Sequence, residues 1–185
     1  MLVAAKTAPA RIAAIVLAAG ASTRFGSPKQ RLLLPRVLAH VRASPVDEIV
    51  VVLGAHPVEV EGAQAITCAD WERGPGASLR CGLAALGPQV EAAVVCLADG
   101  PLLAPEAIAR VLGAWRESGA DLVAASYDGI RGHPVLFARC LWDRIPDDGG
   151  RALPAILIPC DDLGDPGDVD TAADLDRLGH WRGDR

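Results

Sequence analysis

Aromatic residues are scarce: two Phe, one Tyr and four Trp make up 4% of the 185 positions. Half of the chain is apolar all the same, and Ala, Val and Leu supply most of it. Such a core suits a sheet covered by helices on both faces. Cysteine is sparse as well. Cys68, Cys81, Cys96, Cys140 and Cys160 are odd in number and widely spaced, with no C-x-x-C pair. That argues against a zinc clip or a disulfide framework and predicts buried, reduced thiols. No apolar run reaches membrane-spanning length and no signal peptide precedes the first apolar segment, so a cytoplasmic protein without a membrane partner is expected. A net charge of -5 argues against nucleic acid as a partner.

Two local absences say more. No acidic residue occurs before Asp47, while the same stretch holds Lys6, Arg11, Arg24, Lys29, Arg31, Arg36 and Arg42. From Asp161 to Asp176 there are seven aspartates and no cation. A cationic start and an acidic late segment are what a metal–triphosphate site needs: cations for phosphate, carboxylates for Mg²⁺ or Mn²⁺. Two unrelated solvated faces would give the same pattern.

The length predicts one domain over 1–185. Strands are expected at Arg11 to Ala18, Glu48 to Leu53, Ala65 to Thr67, Ala92 to Ala98, Asp121 to Ala125 and Pro134 to Phe137, the last with its proline at an edge position. Helices are expected at Arg31 to Ala43, Val58 to Gly62, Gly76 to Leu86, Pro105 to Glu117, Arg139 to Ile145, Arg151 to Leu157 and Thr171 to Leu178. Ala4 to Ala10 reads as a lead-in and Tyr127 to Gly132 as a turn-rich loop. Alternation of apolar strands with helices predicts an α/β fold, a Rossmann-like three-layer architecture with a mostly parallel sheet.

The most informative segment is Val16 to Lys29, which reads VLAAGASTRFGSPK. A buried strand runs into a small-residue loop with Gly20 and Gly26, two cations, Arg24 and Lys29, and no acid. Small residues let backbone N–H groups come close to a polyphosphate. Arg grips phosphate oxygens with its fork and Lys supplies a point charge. A helix start near Arg31 adds its positive end. Leu17, Ala18, Ala19, Gly20, Arg24 and Lys29 thus form a candidate triphosphate cradle. Neither G-x-x-x-x-G-K-[ST] nor G-x-G-x-x-G is present. Asp99 follows the Ala92 to Ala98 strand, on the same sheet edge as Gly20, where ligands of such sheets bind. A carboxylate there needs a partner, and a metal ion is the expected one; helix capping competes poorly, since the next helix starts only at Pro105.

At these residues the chain resembles the nucleotidyltransferases that load a nucleotide onto molybdopterin. Leu17 to Gly20, Ser22, Arg24, Gly26 and Lys29 fall on L-A-A-G-x-S-x-R-[MF]-G-x-x-K. Trp71 to Gly74 with Ser78 to Leu83, Leu97 to Pro101, Gly132 to Val135, Asp147 to Arg151 and Asp168 to Leu175 resemble further family segments in the family's order. The likeness runs from about Arg11 to Leu178. Ala19 and Gly132-His133-Pro134-Val135 point to the molybdenum cofactor cytidylyltransferase branch. The resemblance implies CMP transfer from CTP to the terminal phosphate of molybdopterin cofactor, with release of pyrophosphate. It implies Asp170 as the second metal ligand beside Asp99, with Asp168 a weaker candidate and Asp174 facing solvent. Arg24, Lys29 and Asp99 are expected to carry the catalytic roles. Ser78 contacts nucleotide; Arg80 does likewise or is an exposed helix cation. His133 is a structural hydrogen bonder or contacts the pterin or its phosphate. Arg151 binds the acceptor phosphate or makes a surface ion pair. Trp71 packs rather than stacks, and His40, His56 and His180 receive no role.

Other readings stay open. Guanylylation of molybdopterin is one. Cytidylylation of a methylerythritol phosphate is another, although its usual His-Asp-x-x-Arg signature is absent at Leu97 to Leu103. A third is a non-catalytic carrier that delivers the cofactor to a molybdenum hydroxylase apoenzyme. A carrier has no need of the Lys29, Asp99 and Asp170 set.

Overall fold

The computed structural model describes residues 10–179; most of the expected lead-in, as well as Lys6 and His180, lies outside them. Seven strands form one sheet: β1 (Arg11–Ala18), β2 (Glu48–Leu53), β3 (Gln64–Thr67), β4 (Val90–Leu97), β5 (Leu122–Tyr127), β6 (Ile130–Ala138) and β7 (Ile156–Pro159). The helices are α1 (Gln30–Arg42), α2 (Pro75–Ala84), α3 (Pro105–Ser118) and α4 (Ala172–Gly179). The strand order is β3-β2-β1-β4-β6-β5-β7. All strands but β6 share one direction.

The period of two along β1 divides the core. Ile12, Ala14, Val16 and Ala18 pack with Leu34, Val37 and Val41 of α1 and Ile108, Val111 and Leu112 of α3. Ala13 and Ile15 pack on the other face with Leu79 and Leu83 of α2 and with Leu141 and Trp142. Both faces being covered, the strands are continuously apolar. Pro35 lies inside α1 and removes only the hydrogen bond to the carbonyl of Arg31, an exposed first-turn residue. The chain moves from β1 outward through β2 to β3, then returns to place β4 on the other side of β1. The carboxyl ends of β1 and β4 therefore flank the point where the winding reverses, the usual crevice of open α/β sheets.

Several local expectations are corrected. Val58 to Gly62 is irregular rather than helical; five residues cannot nucleate a stable turn unaided, and Gly62 takes a positive φ. Arg151 to Leu157 does not form a helix: Pro154 breaks it, and the Ile-rich stretch beyond becomes β7. Tyr127 to Gly132 is a tight hairpin, in which Asp128 (φ 52°) and Gly129 (φ 74°) form the two-residue turn that D-G favours. Pro134 is not on an edge strand, since β6 lies between β4 and β5. It precedes the β4 pairing, which begins at Val135, and falls where the β5 pairing shifts register, so no ladder partner needs its missing N–H. Arg139 to Arg144 is 3₁₀. The thiols are not uniformly reduced and buried. Cys68, just after β3, is joined to Cys81 of α2, and Cys140 is exposed; Cys96 and Cys160 are free and buried.

Candidate functional site

The loop between β1 and α1 is held from beneath by side chains that sequence patterns do not single out. Gln30, the first residue of α1, is buried. Its amide donates to the Gly20 carbonyl at 2.6 Å and accepts from the Ser22 hydroxyl at 2.9 Å. Ser22 takes a φ of 54°, a conformation costly for a residue with a Cβ, and the Gln30 contact stabilises it there. His56 Nε2 donates to the Ala21 carbonyl at 2.9 Å. Gln30 and His56 thus fix the loop without lying in the motif's cationic positions. The loop borders a cavity of about 290 Å³ lined by Leu17, Ala18, Gly20, Arg24, Lys29, Asp99 and Asp170 among others.

Lys29 is the hub. It sits where α1 begins, and its side chain is only 12% exposed. Its Nζ donates to Asp99 Oδ2 at 2.9 Å, to the Val169 carbonyl at 2.8 Å and to Asp170 Oδ1 at 3.3 Å. An ammonium has three hydrogens, and here each has an acceptor. Arg24 reaches Asp170 Oδ2 at 3.0 Å from a side chain that is 75% exposed. The Val169 N–H donates to the Asp99 carbonyl at 2.9 Å, and the Leu102 N–H to the Pro166 carbonyl. The acidic 165–170 segment is therefore strapped across the end of β4. Asp170 is oriented by Asp174, whose Oδ2 accepts from the Asp170 N–H, the Thr171 N–H and the Thr171 hydroxyl, while Thr171 Oγ1 accepts from the Asp174 N–H. This is a capping box at the start of α4, and it corrects the expectation that Asp174 merely faces solvent. The T-x-x-D spacing at 171–174 carried that signal. Asp99, Asp170 and the Val169 carbonyl are hard oxygen donors converging on one cation, a set suited to Mg²⁺ or Mn²⁺.

A second cavity, of about 510 Å³, adjoins the first. Leu17 lines both, and the segments carrying Asp99 and Asp170 contribute Leu97, Gly100 and Asp168 to the larger one. Its floor is apolar: Leu79, Val95, Leu97, Val135 and Phe137. His133, Arg131, Arg151, Asp148 and Asp168 are among its polar groups. Burial pushes the His133 imidazole down to about 4, with the charge of Asp99 opposing and those of Arg131 and Arg151 assisting. His133 is therefore neutral at pH 7 and offers a hydrogen bond, not a charge. Burial, then the nearby charges of Asp99, Asp165 and Asp170, raise the Asp168 carboxyl above the usual range.

The wall from Asp147 to Arg151 is seated on α2. The Gly76 N–H donates to the Asp147 carbonyl at 2.9 Å, and a Cβ on Gly76 would lie 1.8 Å from the Pro146 carbonyl oxygen. Arg80 donates to the Ile145 carbonyl and pairs with Asp147; it is a clamp for this wall. Arg131 donates from Nη1 to the carbonyls of Gly150, Arg151 and Leu153, a role that no sequence pattern indicated beyond its place beside Gly132-His133.

The structure thus brings Leu17, Ala18, Gly20, Arg24, Lys29, Asp99 and Asp170 around one cavity and His133 and Arg151 around the next. Ser78 is buried in α2 and lines neither. Ala19, expected in the cradle, is also buried and lines neither cavity; it borders Gly54, as does Trp71, and a Cβ on Gly54 would lie 2.8 Å from that of Ala19. Trp71 packs on the core face beneath α2.

The MobA-like NTP transferase domain profile matches residues 14–157. The homologue of Mycobacterium tuberculosis Rv0371c from Mycobacterium sp. strain JC1 is 29% identical in sequence. Its structure superposes with a TM-score of 0.77 over 92% of this chain and 96% of that one. Rv0371c from M. tuberculosis H37Rv, in complex with manganese, is 28% identical with a TM-score of 0.74, over 91% and 97% of the two chains. Bifunctional protein GlmU of Sorangium cellulosum is 30% identical over 156 residues, 74% of this chain and 33% of that protein. The chain spans about a third of the length of the curated relatives it matches. With the fold, the strand-end cradle and this profile match over most of its length, the chain belongs to the MobA-like NTP transferase domain family.

Proposed function

We propose that the protein transfers CMP from CTP to the terminal phosphate of molybdopterin cofactor and releases pyrophosphate. The observation that carries this reading is the meeting of Lys29, Asp99 and Asp170 at the junction of a small, polar, cation-bordered cavity and a larger, apolar-floored one. The first suits a triphosphate and the second a bulky heterocyclic acceptor. Asp99 and Asp170 would hold a divalent ion, Mg²⁺ or Mn²⁺; a relative's complex with manganese supports such an ion here. When bound, it neutralises phosphate charge and polarises the α-phosphorus.

The acceptor phosphate is ionised at pH 7 and needs no general base. Its oxygen bonds to the α-phosphorus, and the bond from that phosphorus to the α–β bridging oxygen breaks, so that pyrophosphate leaves. The protein's part is alignment and charge neutralisation. Lys29 and Arg24 hold the phosphates that leave. Arg151 meets the incoming phosphate, and neutral His133 hydrogen-bonds the acceptor. Ala19 underlies the choice of CTP through its packing against Gly54, which sets the position of Ala18 and Gly20 at the small cavity. The product would pass to a molybdenum hydroxylase apoenzyme.

The test is pyrophosphate release with each of the four NTPs, with and without molybdopterin. Release with CTP that requires the acceptor is expected. No release with any NTP would overturn the enzymatic reading in favour of a carrier, and equal release with GTP would overturn the cytidylyl assignment.

A further inference from the structure

Lys29 has two partners to serve and geometry for one at a time. Its three ammonium hydrogens are used by Asp99, Asp170 and the Val169 carbonyl, so none remains for a phosphate. The same ammonium stands within 3.3 Å of both carboxylates that would ligate a divalent ion. An ion entering between them would meet a like charge at contact distance. A triphosphate entering alone would find Lys29 engaged by carboxylates and would face their negative charge, along with that of Asp168 behind them. Arg24 extends the closure, pairing with Asp170 from the solvent side.

We propose that Lys29 is a placeholder for the divalent ion, so that the site takes the preformed metal–triphosphate complex in preference to the free ion or the free nucleotide. On entry the complex supplies both exchanges together. Its cation takes over Asp99 and Asp170, and its phosphates take over the released ammonium. Each group that is released thus meets an opposite charge carried by the same ligand, which neither component offers alone. Release of Lys29 also frees the Val169 carbonyl, removing one tie on the 165–170 segment, while the backbone ties from the Val169 N–H to Asp99 and from the Leu102 N–H to Pro166 remain. This inference rests on the nucleotidyl-transfer reading for the identity of the ligand, but its test involves neither acceptor nor turnover.

The test is titration with MnCl₂ alone, followed by electron paramagnetic resonance of the free ion, on the unaltered protein and on Lys29→Met. Removing the ammonium should tighten binding of free Mn²⁺ by about tenfold, within the usual range of coupling between sites. The same variant should bind the Mn²⁺ complex of a non-hydrolysable CTP analogue more weakly. Equal or weaker Mn²⁺ binding by a folded Lys29→Met protein would overturn the placeholder.

A second measurement uses the unaltered protein, which has only two lysines, Lys6 and Lys29. With ¹⁵N-labelled lysine, the Lys29 ammonium of the ligand-free protein, assigned by its loss in Lys29→Met, should give a slowly exchanging, hydrogen-bonded signal. That signal should persist with Mg²⁺ alone and move when Mg²⁺ and the analogue are added together. Two fast-exchanging ammonium signals in the ligand-free protein, or loss of the ordered one on adding the same concentration of Mg²⁺ alone, would overturn the inference. Absence of pyrophosphate release would sink the nucleotidyl-transfer reading and leave these binding results as they are.

Discussion

The two adjoining cavities are built on opposite principles. In the smaller one, charge meets charge: Arg24, Lys29, Asp99 and Asp170 form a closed set of ion pairs between β1, β4 and the 165–170 segment. In the larger one, an apolar floor from β1, β4, β6 and α2 is rimmed by polar groups that mostly bind backbone. Arg131 holds three carbonyls of the 150–153 wall, and Tyr127 donates to the His133 carbonyl at 3.0 Å. The first half of the site is defined by electrostatics and the second by shape. Substitutions should separate accordingly: charge removal in the small cavity should act on rate and on nucleotide, whereas changes in the large one should act on acceptor fit and stability.

The largest effect is expected where the halves meet. Asp99→Asn keeps size and hydrogen bonding but removes the charge facing Lys29 and the proposed metal. Turnover should fall on the order of a hundredfold or more, the scale for losing a key electrostatic group, while nucleotide binding weakens less because the cradle remains. Steady-state pyrophosphate release in Mg²⁺ measures this. Normal turnover would remove Asp99 from the mechanism and leave the junction a structural ion pair.

Next come the cations of the small cavity. Lys29→Ala should raise KM for nucleotide and lower kcat, together roughly 10- to 100-fold in kcat/KM, as expected for losing a hydrogen bond to a charged group. Arg24→Ala should act in the same direction and less strongly, since its side chain is largely exposed. KM for the acceptor should move little in either. If it moved as much as that for nucleotide, the division of labour between the cavities would fail.

That division also explains what could be read from the chain. That Gly20, Arg24, Lys29 and Asp99 meet around one cavity was legible because they lie on one contiguous loop and one strand end of a parallel sheet, both visible as pattern. Continuous apolar strands and intervening helices gave the layers for the same reason. The larger cavity was legible only as scattered motif matches, because its wall depends on a backbone approach between Gly76 and Pro146, seventy positions apart. Arg131, Gln30 and His56 act on main-chain carbonyls, which no residue pattern announces. Pro134 misled because its position relative to a register shift, not its presence in a strand, decides whether its missing N–H matters. The Cys68–Cys81 link depends on where α2 crosses β3, which spacing alone does not reveal.

His133 sharpens the comparison from the other side. Its folded-state pKa of about 4 lies below the ordinary value of 6.5. Between these two pH values the unfolded chain binds a proton that the folded one refuses, so stability rises with pH across that window and falls as the solution is acidified. From pH 6.5 to pH 5 the loss attributable to this residue should be about 1.5 kcal/mol. Urea unfolding of the unaltered protein and of His133→Gln at the two pH values checks it. The variant should lose less stability by that amount; parallel losses would show that His133 is not a desolvated, neutral group.

The smallest effect concerns base choice, where shape acts inside the electrostatic half. Ala19 is buried beside Gly54 and Trp71 at the carboxyl ends of β1 and β2. Its carbonyl accepts the Ala55 N–H at 3.0 Å, which pins the backbone of the loop to the segment after β2. Ala19 itself lines neither cavity; its methyl packs toward Gly54 and so holds in place Ala18 and Gly20, which border the smaller one. On the proposed reading, a pyrimidine would fit against the loop held in this way, while a purine would crowd it. Overpacking of this size costs about 1–3 kcal/mol. Ala19→Gly should therefore reduce the preference for CTP over GTP by roughly fivefold or more, at the lower end of that range, since Trp71 and Gly54 still bound the space. The measurement is kcat/KM for CTP and for GTP on both proteins with molybdopterin as acceptor. An unchanged ratio would mean that base selection is made elsewhere, while the charge arrangement around Lys29 would be untouched by the result.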